Sequence, residues 1–119
     1  MIFFSEIKNK KVVTEDNIIV GRLDDLVFDF KDIPAVTKII VKSEKLHHQR
    51  LFIPISHLLS MNEIIVLAKN YSTDYLMDNE MFVMKNLIDK QIIDIEGRKV
   101  VRVNDVILKQ TGVSNLAIL

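Results

Sequence analysis

Val12-Val13-Thr14-Glu15-Asp16-Asn17-Ile18-Ile19-Val20-Gly21-Arg22-Leu23-Asp24-Asp25-Leu26-Val27 aligns without a gap on Ile92-Ile93-Asp94-Ile95-Glu96-Gly97-Arg98-Lys99-Val100-Val101-Arg102-Val103-Asn104-Asp105-Val106-Ile107, eighty positions later. Arg22 falls on Arg102 and Asp25 on Asp105, and the apolar positions around them stay apolar. A further apolar run follows each stretch, first Lys38-Ile39-Ile40-Val41 and then Leu116-Ala117-Ile118-Leu119. An internal repeat decides architecture before any single residue does. It predicts two small β units of one kind.

The alternation inside each stretch adds a bend. Ile19, Gly21 and Leu23 share one nominal face, with Arg22 on the other. Beyond the aspartates, Leu26, Phe28 and Phe30 share the face of Arg22 instead. Strand side chains alternate strictly, so a one-residue slip in the apolar phase predicts a bulge at Asp24-Asp25. Val101 and Val103 followed by Val106 and Leu108 slip in the same way at Asn104-Asp105. A bent strand with Asp at its bend is expected in each copy.

Outward from the repeat, residues 3–9 read as a short helical turn with Ser5 as its cap. Lys11 to Thr14 is a strand and Glu15-Asp16-Asn17 a tight turn. Asp32-Ile33-Pro34-Ala35 is a loop. Thr37 to Lys42 and Leu51 to Ile55 form a hairpin with a polar tip. Ser56 to Ser60 reads as a helical turn and Ile64 to Ala68 as the last strand of the first unit. Ser72 or Thr73 is placed to cap a short helix running through Met77. The expected organisation is a module over 1–70, a connecting segment over 71–86, and a partial second copy over 87–119. The second copy stops at its third strand, where the first continues. We therefore expect the front part of a longer protein, or a second copy that pairs with the first module or with another subunit. Unless such a pairing covers it, the strand Leu116, Ala117, Ile118 and Leu119 is expected to carry an open edge.

Composition excludes several functions. The chain has 119 residues, 49% apolar and 27% charged, as expected for a folded soluble protein. Lys and Arg number 16 and so do Asp and Glu, so the electrostatic footprint of a nucleic-acid binder is missing. The same balance disfavours an anionic membrane surface. With no cysteine there is no disulfide, thiol nucleophile or cysteine-ligated zinc, which fits a cytoplasmic location. The longest apolar region, Leu51 to Ala68, is interrupted by Pro54, His57 and Glu63, so direct membrane insertion is not expected.

Lys10-Lys11-Val12-Val13, the polar turn, Val20-Gly21-Arg22-Leu23-Asp24-Asp25-Leu26-Val27-Phe28-Asp29 and Ile53-Pro54-Ile55 resemble the PRC-barrel family. That family is a small β-barrel shared by the reaction-centre H subunit and the ribosome maturation factor RimM. The resemblance covers residues 3–68. Leu87 to Val106, ending Val101-Arg102-Val103-Asn104-Asp105-Val106, is similar to a tandem arrangement ahead of the regulatory domains of MgtE-type magnesium transporters and of CBS domains. It implies an all-β protein, a small PRC-barrel-like β-barrel with a second, incomplete copy and short helical turns. It also implies a regulatory, protein-binding role in magnesium transport. Gly21, Arg22, Asp25, Gly97, Arg102 and Asp105 are the positions of the shared motif.

Candidate chemistry is sparse. Asp24, Asp25, Asn104 and Asp105 are paired oxygen donors at equivalent places, and together would suit Mg²⁺ if the copies brought them to one point. The competing reading is that each Asp satisfies backbone N–H groups at its bend. Arg22 and Arg102 read as exposed strand positions beside a carboxylate. His47-His48 lies on a basic tip without stacking aromatics, and His57 reads as packed or capping. No nucleophile elbow, P-loop, dinucleotide fingerprint or zincin motif occurs. We expect no enzyme and no resident cofactor. The expected partners are protein domains of the same or another chain, in a homodimer, with contacts through Leu116 to Leu119 and through Met77, Met81 and Met84; the competing reading of the methionines, with Leu76 and Phe82, is a core between the two repeats. An RNA- or ribosome-associated factor of RimM type and a divalent-cation sensor are the alternatives.

Overall fold

The computed structural model describes residues 1–30, 34–88, 91–93, 100–112 and 115–118. Gly97 and Leu119 lie outside these, as do Asp32 and Ile33 of the expected loop. The chain is mostly β, curled into a half-barrel with few and short helices. In chain order the strands are β1 (Ile2–Phe3), β2 (Lys11–Thr14), β3 (Ile19–Asp29), β4 (Ala35–Ser43), β5 (Arg50–Pro54), β6 (Leu58–Met61), β7 (Ile65–Leu67), β8 (Glu80–Phe82), β9 (Gln91–Ile93), β10 (Val100–Arg102), β11 (Ile107–Gly112) and β12 (Asn115–Ile118). The helices are α1 (Phe4–Ile7) and α2 (Val83–Asn86), with a 3₁₀ turn at Ile55–His57.

Among the described residues one sheet runs β1-β11-β12-β4-β3-β2-β7-β6, with β5 also on β4 and β8 also on β3. β9 and β10 form a separate hairpin. The long strand β3 is bent where its apolar phase slips. Leu23 pairs with Val41 but Asp25 with Ile40, which leaves Asp24 as the extra residue of a bulge. At the aligned place in the second stretch the chain breaks into two strands, β10 and β11. Asp105 lies in the unpaired step between them. The turn before β3 closes at Asn17, whose φ of 68° suits an amide side chain.

Two pairings join residues distant in sequence. On β1, Phe3 faces Ile107 and Ile2 faces Leu108. On β8, Phe82 faces Val27 and Met81 faces Phe28. The lead-in strand β1 thus lies on β11 and the lead-in strand β8 on the bent β3, with Phe3 and Phe82 meeting the aligned residues Ile107 and Val27. β4 meets β12 at Ala35↔Ala117. One hydrophobic cluster contains Leu23, Leu26 and Phe28 with Phe4, Val83 and Leu108, so it draws on each of the three expected segments. Burying one such side chain contributes about 1.5–3 kcal/mol.

Two local expectations change. The segment over 71–77 forms no helix, and the helical turn comes later, as α2. Ser5 does not cap α1; Phe3 is the N-cap, and the Glu6 carboxylate accepts its N–H at 3.1 Å. Ser5 already lies inside the turn, where its hydroxyl is used elsewhere.

Candidate functional site

Asp25 sits directly after the bulge on β3 and is buried. Its Oδ1 accepts the N–H of Leu26 at 2.7 Å and the N–H of Met84 at 3.1 Å. Met84 is in the first turn of α2, whose N-cap Phe82 has no side-chain oxygen to offer. A helix start leaves N–H groups without intrahelical partners. Asp25 supplies the missing acceptor from another strand. Burial pushes its carboxyl above the ordinary 3.8, against the pull of the two amides and of Arg50. Its Oδ2 lies 3.9 Å from Arg50.

Asp24 turns outward at the bulge. Arg50 Nε stands 3.0 Å from its Oδ2, and Lys8 Nζ 3.8 Å from its Oδ1. Arg50 also lies over the Phe82 ring at 5.5 Å from the centroid. The guanidinium thus joins β5, the bulge and the start of α2 in one contact set. The acidic pair is therefore already neutralised by two side-chain cations.

Asp105 repeats the arrangement on the other half. Its Oδ1 accepts the N–H of Val106 at 2.8 Å and that of Ser5, in the first turn of α1, at 3.0 Å. Its Oδ2 accepts the Ser5 hydroxyl. Burial pushes this carboxyl up, but Ser5 Oγ and the amides of Ser5, Val106 and Phe4 outweigh it and hold the group below its ordinary value. Asn104 is exposed.

Asp25 is thus committed to α2 and Asp105 to α1. Among the described residues no group of three His, Cys, Asp or Glu side chains is placed to hold a metal ion. Asp24, Asp25, Asn104 and Asp105 are not brought to one point. The geometric reason is that each bend faces the helix of the opposite half.

Sequence reasoning missed a buried ion pair. Lys38 Nζ lies 2.6 and 2.7 Å from the two Glu80 carboxylate oxygens, with both side chains almost fully covered. The Thr37 hydroxyl and the Met77 N–H, the latter at 2.8 Å, donate to the same carboxylate. Burial raises the Glu80 pKa and these donors overcome it, so the group titrates below 4.5. The available signal was a lysine in the otherwise apolar alternation Val36-Thr37-Lys38-Ile39-Ile40.

The motif residues separate by role. A Cβ on Gly21 would stand 2.0 Å from the Lys42 carbonyl oxygen, so β3 and β4 approach closely only because that Cβ is absent. Arg22 is exposed, donates to the Asn9 carbonyl at 2.9 Å, and stands 3.9 Å from Glu44. Arg102 is exposed as well. Asn9, Arg22, Leu23, Asp24, Lys42, Glu44 and His48 border a shallow cleft of about 190 Å³ whose lining holds both basic side chains and carboxylates. Such a lining selects neither an anion nor a cation. His57 Nε2 is 3.1 Å from Ser72 Oγ, a packing contact that ties the 3₁₀ turn to the segment after β7.

The two expected contact surfaces differ. Leu116 and Ala117 are buried and Ile118 is half-buried. β12 lies between β11 and β4, so the edge expected to be open there is paired on both sides. β12 is thereby joined to the 1–70 segment through β4. Met77 and Met84 are exposed, while Met81 packs against the core.

Among the described residues no helix is long and apolar enough to cross a membrane. The family profile described as PRC-barrel domain matches residues 1–77, well over half the chain. Comparison with curated proteins finds no match.

Proposed function

The chain belongs to the PRC-barrel family, and from that premise we propose that it is a non-enzymatic, cytoplasmic protein-interaction module. We place it in the regulatory part of a magnesium-transporter-associated protein of MgtE type, or of a CBS-containing one, built on a tandem of two PRC-barrel-like repeats. The aligned pairings Phe3↔Ile107 and Phe82↔Val27 support the tandem reading. So do the matching hydrogen bonds of Asp25 and Asp105. The polar groups at both bends are engaged in holding helices, which fits a scaffold better than a catalyst.

The observation that carries the interaction reading is the exposure of apolar side chains in the segment before β8 and on α2. Tyr75, Leu76 and Met77 are 83%, 41% and 49% exposed, and Met84 on α2 is 37% exposed. A module whose core is already complete keeps such a surface for a partner. Methionines suit it because their side chains repack against different faces. The partner is a second copy of this chain or another domain of the same assembly. Neither alternative role draws support from the geometry. The two acidic bends do not meet, and in the basic tip Arg50 is already occupied by Asp24 and Phe82.

Sedimentation velocity over a wide range of chain concentration tests the reading. Self-association that Leu76→Asp together with Met77→Asp abolishes, with the thermal transition unchanged, is the expected result. A strict monomer at all concentrations would remove the homodimer. Loss of folding in the double variant would show that these side chains belong to the core.

A further inference from the structure

The hairpin β9–β10 is the counterpart of the hairpin formed by β2 and the start of β3. Val12 faces Gly21 in the first, and Ile92 faces Val101, their aligned residues, in the second. The first hairpin is not left as two strands. β7 lies along the outer side of β2, parallel to it, with Val12↔Ile65, Val13↔Val66 and Thr14↔Leu67. Val12, Val13 and Thr14 are all buried as a result, as are Ile65 and Leu67. Among the described residues, β9 has no strand on the corresponding side, and β9 with β10 stands as a sheet of two. Two-stranded hairpins are marginal in water without a further strand. An edge of unpaired backbone N–H and C=O groups is a template for strand addition.

We propose that the outer edge of β9, Gln91–Ile93, is an acceptor for one added aliphatic strand of the kind that β7 supplies to β2. That strand adds parallel to β9 in the register that Ile65–Leu67 takes on β2. The chain itself specifies the occupant's chemistry, because it carries the same acceptor with its occupant in place. The strand is extended, β-branched or leucine at consecutive positions, free of proline and uncharged over at least three residues. Ile92 and Ile93 stand at the register positions of Val12 and Val13, so the acceptor keeps the aliphatic character that β7 meets on β2. This deepens the interaction-module reading and rests on it. The contact uses residues other than Leu76 and Met77, so the two can fail separately.

The test uses the full chain, isotopically labelled, and a synthetic peptide copying residues 62–69 as the probe. Backbone amides of Gln91–Ile93 are expected to shift on titration and to exchange with solvent more slowly by about tenfold or more. Those of Val12–Thr14, whose edge is filled, are expected to stay unchanged. A peptide carrying proline in place of Val66 should have no effect, since it cannot complete the ladder. No response at Gln91–Ile93 with peptide in large excess would overturn the proposal, and so would a response confined to other strands. Protection of these amides that grows with chain concentration in the absence of peptide would also overturn it, by assigning the edge to a second copy.

Discussion

Asp25 and Asp105 perform the same task for opposite halves of the molecule. The Oδ1 of Asp25 takes the N–H of Met84 at 3.1 Å, and the Oδ1 of Asp105 takes the N–H of Ser5 at 3.0 Å. Each also accepts the N–H of the residue that follows it. A carboxylate in each half therefore closes the start of a helix in the other. Helices of four residues cannot persist on their own nucleation energetics, so these contacts and the packed side chains beneath them hold α1 and α2 in place.

Removing one such cap has a bounded cost. Asp105→Ala should destabilise the chain by about 1–2 kcal/mol, the range for loss of a helix N-terminal acceptor. Ser5→Ala, which removes only the hydroxyl donor, should cost less. A double-mutant cycle in denaturant should return a coupling of about 0.5 kcal/mol or more. Strict additivity would show that the two side chains do not share their energy.

The two aspartates should respond to pH in opposite senses. The Asp25 carboxyl is raised, so its ionisation opposes folding as pH climbs from 3.8 through its folded value. Asp25→Asn keeps an acceptor for Leu26 and Met84 and deletes that titration. The stability of this variant relative to the parent should therefore increase with pH across the window. Asp105 and Glu80 are lowered, so their contribution is complete above 3.8 and 4.5 respectively and is lost as pH falls through the folded values. Asp105→Asn should narrow its deficit on acidification. Urea midpoints measured from pH 3 to pH 7 check both signs.

The Lys38–Glu80 pair should be costly to break and cheap to replace. Glu80→Gln leaves a buried ammonium without its counter-charge and should lose about 3–5 kcal/mol. Lys38→Met with Glu80→Leu removes both charges and should recover most of that loss. Failure of the double variant to improve on Glu80→Gln would mean that the donors from Thr37 and Met77 matter more than the charge.

Gly21→Ala should be among the most damaging conservative changes in the chain. The new methyl meets a backbone carbonyl at 2.0 Å, so β3 and β4 must part rather than a side chain move. A loss of about 2 kcal/mol or more is expected from such overpacking. Arg22→Ala on the next residue should change stability by under about 1 kcal/mol, since its ion pair is exposed. Thermal melts of the two variants side by side make the contrast.

Much of the fold was legible because it is written in local alternation. Lys11 to Thr14 is the strand β2 as expected, and the phase slip at Asp24-Asp25 is the bulge of β3. The basic tip and the strand before Ala68 are each present, but the helical turn expected over Ser56–Ser60 is only the 3₁₀ turn at Ile55–His57, and Leu58–Met61 is the strand β6 instead. The expected helix at residues 71–77 failed because a capping residue alone does not make a helix without an apolar stripe to bury. Of the candidate site, the two bend aspartates were identified in the competing, structural reading of their role: each satisfies backbone N–H groups. Their helix partners in the opposite half were not.

By itself the sequence determined the class of the protein, the bent strand β3 and the aspartates at its bend; in the second stretch the expected bend is instead a break between β10 and β11. Side-chain period and turn chemistry are properties of neighbouring residues, and they can be read in one dimension. Only the tertiary structure decided which half each lead-in strand lies on, that β12 is enclosed between β11 and β4, and that Lys38 finds Glu80. Those outcomes come from pairing distant strand edges. Any apolar edge of the right length satisfies the same backbone hydrogen bonds, and only the closing of the whole core selects among them.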